Sequence, residues 1–117
     1  MVKKGVPERG DVYLVNPNPV KGKELENEHR FVVISPYEVN KFGVAMVVAV
    51  VTVGAGARLG GLTVPIQGHQ TSGVAVCNQV RTFDLRERGA KYLERLDETL
   101  INEIIRKVVS IIDPENE

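Results

Sequence analysis

The chain has 117 residues, and its 15 Lys+Arg balance its 15 Asp+Glu to a formal net charge of zero. A hydrophobic fraction of 43% supports one real core and excludes a disordered chain. The balanced charge excludes a polycation that coats nucleic acid non-specifically, so any polyanion site is a local patch. One cysteine, Cys77, allows neither an internal disulfide nor a thiolate metal site, which suits a reducing cytoplasm. The opening residues have no apolar stretch and do not read as a signal peptide. The longest apolar run, Val44 to Val51, is too short to span a bilayer, so no membrane is expected. Residues 1–117 read as a single domain, with its core at about 9–112 and a middle that carries only Glu38, Lys41 and Arg58 between more heavily charged segments.

Asp11-Val12-Tyr13-Leu14-Val15 is β-rich and ends at Asn16-Pro17-Asn18-Pro19, a strong turn signal, which predicts a first strand. Lys21 to Arg30 is polar, has almost no apolar periodicity and reads as a loop. Phe31 to Ser35 reads as a buried strand, and Pro36 to Phe42 as one short helical turn. The Val44–Val51 run is apolar on both faces, as a central strand requires. Val53 to Gly61 is a glycine-rich loop whose glycines permit close approach of a ligand to backbone.

Leu62 to Ile66 reads as a further strand, and Pro65, which removes a ladder donor, places it at an edge. Gly73 to Cys77 reads as a strand that runs on to Phe83, and Asp84 to Gly89 as a short helical turn stopped by Gly89. From Glu98 to Ile112, apolar residues recur at three- and four-residue spacing, which predicts a helix with Asp97 as its N-cap. Several short strands and one closing helix argue for a mainly β fold, a small antiparallel barrel with a packed C-terminal helix.

The residue types narrow the chemistry. His29 and His69 lack partners at ligand spacing, so no metal is expected, and the glycine-rich loop is not followed by the Gly-Lys-Ser/Thr of a phosphate loop, so no nucleotide cofactor is expected either. Cys77 lies in an apolar strand and reads as a small core residue. Two polar segments border the core strands: the loop Lys23-Glu24 through Arg30, and Thr52 with the glycine-rich loop after it. Phosphodiester cleavage without metal needs a base, an acid and a cation at the phosphate, and Glu24, Lys23, Arg30 and Thr52 supply those types. Taken alone, the same loop reads more readily as a solvated surface than as a site of chemistry. Phe31 and Phe83 read as core, and Arg81 as a partner for Asp84 or a brace between two copies.

Four segments in order carry a resemblance. Arg9-Gly10-Asp11 opens the first strand, Gly22-Lys23-Glu24 is followed by Arg30, Val51-Thr52 closes the central strand, and Gly73 to Asp84 contains Asn78-Gln79-Val80-Arg81. Together they resemble the MazF/PemK family of toxin endoribonucleases, its ChpB-like members included, over about Arg9 to Ile112. The resemblance implies a CcdB/MazF-like, SH3-like barrel, usually a homodimer. It also implies sequence-selective, metal-independent cleavage of single-stranded RNA, in which the 2′-hydroxyl attacks to leave a 2′,3′-cyclic phosphate. A cognate antitoxin with a flexible acidic segment would neutralise such an enzyme.

Carried over residue by residue, Glu24, Arg30 and Thr52 are the expected catalytic set, with Glu24 the base, Arg30 the phosphate contact and Thr52 the orienting hydroxyl. Lys23, Arg58, Asn78 and Gln79 are the expected RNA contacts. The sequence departs from the PemK-like pattern at Lys23, where those members have His, at Val76, where they have Arg, and at Asn78, where they have Asp. Phe31 and Leu25 depart from the Pro and Gln of the loop motif. Two other readings stay open here: a catalytically degenerate member that binds RNA or antitoxin, and a CcdB-like gyrase poison.

Overall fold

The computed structural model describes residues 5–17, 28–52 and 61–116. Among them, six strands form one antiparallel sheet: β1 (Asp11–Val15), β2 (His29–Val33), β3 (Ala45–Val51), β4 (Thr63–Ile66), β5 (Gly73–Phe83) and β6 (Lys91–Arg95). The spatial order is β4-β5-β3-β2-β1-β6. A short helix α1 (Tyr37–Asn40) links β2 to β3, and the long helix α2 (Glu98–Ile112) follows β6. A single 3-10 turn at Pro114–Asn116 ends the described chain.

Strand alternation divides the core between the two faces of the sheet. Val12, Val32, Val48, Val50, Val64, Ile66, Ala75 and Cys77 point to one face and pack against Leu100, Ile101, Ile104 and Val108 of α2. Tyr13, Val15, Phe31, Val33, Ala45, Val47 and Phe83 point to the other, where Leu85 helps to close the cluster. Burial on both faces explains why β2 and β3 are apolar without alternation. Phe31 and Phe83 meet edge to face, with centroids 5.2 Å apart at 88°. Both are core residues, as the sequence predicts.

The start of helix α2 is fixed where the sequence places it: the Asp97 side chain accepts a hydrogen bond from the Leu100 amide at 2.8 Å. Ile112, the last member of the predicted apolar stripe, is instead exposed. The Asp84–Gly89 turn is present, with hydrogen bonds from the Arg88 amide to the Asp84 carbonyl and from the Ala90 amide to that of Leu85. Pro65 does lie on an edge strand.

Three differences from the sequence reading matter. Strand β2 begins at His29, so Arg30 is a strand residue and not a loop residue. Its pairing with Leu14 of β1 and Val50 of β3 supplies the ladder that local propensity did not signal. Strand β6 was not expected at all. Its sequence, KYLER, is charged at three of five positions, yet Tyr92 pairs with Tyr13 and Arg95 with Asp11. At the start of the apolar run, Val44 and Met46 are exposed.

The Arg9-Gly10-Asp11 motif is a structural joint. Arg9 Nε donates to the Ile34 carbonyl at 2.6 Å, and the Glu8 amide donates to the fully buried Asp11 carboxylate at 2.8 Å. Gly10 has φ +96°, and a Cβ there would collide with the Ile101 side chain. That closeness seats α2 on the N-terminal end of β1.

Candidate active site

Arg30 stands directly opposite Val50 in the β2–β3 ladder. Thr52 lies two residues beyond Val50, just past the end of β3, and is exposed. In a regular antiparallel pair such a diagonal spans about 7–8 Å, within reach of one phosphate held between the two side chains. The sheet therefore brings together two of the sequence-predicted catalytic residues. Glu24, the third, lies outside the described residues, as do Lys23 and Arg58.

Asn78 and Gln79 are exposed on β5, one strand beyond β3. They fall where the β3–β5 register slips. Val48 pairs with Val80 but Val50 pairs with Ala75, so several β5 residues bulge opposite Ala49. A bulge turns side chains out of the ladder and frees them for contacts beyond the sheet. Val76 is buried and paired with Thr63 of β4. Arg81 lies over the Phe83 ring, 4.9 Å from its centroid. Cys77 is buried, and burial pushes its thiol up to about 11, so it is a poor nucleophile.

What the sequence did not signal is the group that holds Arg30. Its guanidinium Nη1 donates to Thr71 Oγ1 at 2.8 Å. Thr71 is fully buried in the turn between β4 and β5. The amides of Gln70 and Thr71 donate to the two carboxylate oxygens of Glu94 on β6. His69 lies between acids, with Nδ1 3.4 Å from Glu94 Oε1 and Nε2 3.0 Å from Asp97 Oδ2. One network thus joins β2, the β4–β5 turn, β6 and the cap of α2.

Partial burial acts to raise the Glu94 pKa, but the bonds from Thr71 and Gln70 and the charge of His69 outweigh it and hold it below the ordinary 4.5. The Asp97 carboxyl is held below 3.8, first by the Leu100 amide and then by His69. Gly73 closes the turn at φ +126°, and a Cβ there would strike the Val51 carbonyl. That close approach fixes Thr71 and Ser72 beside the end of β3. Among the described residues, no group of three or more His, Cys, Asp or Glu side chains is arranged to hold a metal ion.

The sequence and fold have clear relatives. Residues 8–112 match the family model described as the PemK-like, MazF-like toxin of type II toxin–antitoxin systems. The chain is 35% identical to "Endoribonuclease PemK" of Escherichia coli over 94% of its own length and 85% of the relative's. It is 32% identical to "Endoribonuclease toxin ChpB" of Escherichia coli K12, over 97% of this chain and 100% of that one. A crystal structure of MazE–MazF from Deinococcus radiodurans superposes with a TM-score of 0.74 at 22% identity, covering 94% of this chain and 98% of that one, which supports the fold.

Proposed function

The chain belongs to the PemK-like, MazF-like toxin family of type II toxin–antitoxin systems and is an endoribonuclease like its curated relatives; we propose that it cuts single-stranded RNA sequence-selectively and without a metal ion. The observation that carries the reading is Arg30, set in the sheet opposite Val50 and held by Thr71, next to the strand end that bears Thr52. A guanidinium fixed in this way meets phosphate oxygens with a rigid planar fork.

In the proposed reaction Glu24 takes the proton of a ribose 2′-hydroxyl. The 2′-oxygen attacks the adjacent phosphorus, and the bond from phosphorus to the 5′-oxygen breaks. The products are a 2′,3′-cyclic phosphate and, once the leaving oxygen is protonated, a 5′-hydroxyl. Arg30 balances the charge that grows on the phosphoryl oxygens, and Thr52 orients the attacking group. Lys23 and Arg58 draw in the backbone, while Asn78 and Gln79 contact bases. The protein works as one cytoplasmic domain paired in a homodimer, and a cognate antitoxin silences it.

Purified protein is expected to cleave an oligoribonucleotide in EDTA and to leave cyclic phosphate ends. Arg30→Ala is expected to lose about 10²–10³-fold in rate, the usual cost of one preorganised donor. Activity that vanishes in EDTA and returns with a divalent ion would overturn the metal-independent reading. An Arg30→Ala protein within about twofold of wild type would remove Arg30 from the mechanism. Tight RNA binding without any cleavage would establish the degenerate member instead.

A further inference from the structure

We propose that Thr71 and Glu94 are positioning residues, which fix the Arg30 guanidinium through a relay running from β6 across the β4–β5 turn to β2. The inference rests on Arg30 acting at the phosphate.

The geometry is directional. A threonine hydroxyl has one proton to give and lone pairs to accept with. Arginine only donates, so Arg30 Nη1 takes a lone pair of Thr71 Oγ1 at 2.8 Å. The Thr71 amide in turn donates to Glu94 Oε2, so the carboxylate fixes the backbone that carries this hydroxyl. Glu94 thereby holds Arg30 in place through the turn without touching it. A direct ion pair would instead compete with phosphate for the arginine.

The relay is also stiff. Thr71 has no exposed surface, and its own amide is bound by Glu94. The Gln70 amide binds the other carboxylate oxygen at 3.2 Å. Glu94 is in turn flanked by His69, whose other nitrogen meets the cap residue of α2. Gly73 packs the far end of the turn against the Val51 backbone. With one nitrogen held, the fork loses freedom about its last side-chain torsions before RNA arrives. A guanidinium ordered beforehand stabilises a developing charge at no cost of reordering during the reaction.

The relay accounts for a fully buried hydroxyl in a turn that packing alone would fill with valine. A brace serving only stability would affect folding and leave the chemical step alone, and the two roles separate kinetically. Four variants are compared below their melting temperatures: Thr71→Val, Thr71→Ser, Glu94→Gln and Arg30→Lys. Steady-state cleavage of one oligoribonucleotide gives kcat and KM.

Thr71→Val is expected to lower kcat about tenfold or more with KM within about threefold, and Thr71→Ser to stay within about threefold of wild type. Glu94→Gln is expected to lower kcat about fivefold. In an Arg30→Lys background, Thr71→Val is expected to cost less than about twofold, because the bond it removes is already gone. Full additivity of the two changes would overturn the relay. So would a Thr71→Val protein with lowered Tm but unchanged kcat. If Thr71→Val does not fold, Glu94→Gln decides: a folded variant with wild-type kcat overturns the proposal. An Arg30→Ala enzyme as fast as wild type would instead sink the functional reading itself, and the relay with it.

Discussion

Arg30 and Thr71 are 41 positions apart in the chain, and the guanidinium of one donates to the hydroxyl of the other across 2.8 Å. The bond joins a strand in the middle of the sheet to the turn beside an edge strand. Glu94, on the opposite edge strand, holds that same turn by two backbone amides. The two edges, β4 and β6, are thus linked through side chains at the place where the candidate site lies.

Gly73→Ala is expected to destabilise the protein by about 2–4 kcal/mol, from backbone overpacking and a left-handed φ together. The added Cβ would meet the Val51 carbonyl, and that backbone cannot move without disturbing the β3–β5 ladder. Urea melts measure the change. Stability within about 0.5 kcal/mol of wild type would mean that the turn relaxes freely.

Acid is expected to weaken the network in a defined direction. Glu94 and Asp97 are both held below their ordinary values in the folded state. A depressed folded pKa contributes stability that is complete above the unfolded value and is lost as pH falls through the folded one. For these groups the loss begins near pH 4.5 and 3.8 and continues downward. Glu94→Gln is therefore expected to be less stable than wild type at pH 7, with the gap closing toward pH 3. Thermal melts across this range test it, and a gap that stays constant contradicts it.

Sedimentation at micromolar concentration is expected to show a dimer of the 12.9 kDa chain. Tyr37, Val39 and Phe42 around α1, Val44 just before β3, and Met46 and Val80 in the sheet leave apolar surface exposed on the single chain. Patches of this kind mark association surfaces on small proteins. A species of monomer mass alone would contradict the expectation.

The antitoxin is expected to present a flexible acidic segment to the same surface that is proposed to bind RNA. A site built for phosphates also accepts carboxylates, and such a segment would order on binding. Charge reversal at Lys23 or Arg58 is expected to weaken RNA and antitoxin binding together and to remove much of their salt dependence. If RNA binding is lost while antitoxin affinity stays within about twofold, or about 0.4 kcal/mol, the antitoxin acts from another surface.

The sequence alone determined the elements whose signal is local. The β-branched runs of β1, β3 and β5 announce buried strands, and Pro65 announces an edge. The three- and four-residue spacing from Leu100 to Val108, with Asp97 before it, sets α2 and its first residue. The ordered motifs around Arg9, Arg30, Thr52 and Gln79 carried the family. Only the tertiary structure decided the rest. Strand β6 has no local signature, because its charged residues gain their ladder from β1, some 80 positions earlier. Arg30 reads as part of a polar loop until β1 and β3 pair with it on both sides. Nothing local to Thr71 or Glu94 singles them out. Their hydrogen bonds form only when the folded sheet brings its two edges together, and no window of sequence contains both ends of such a contact.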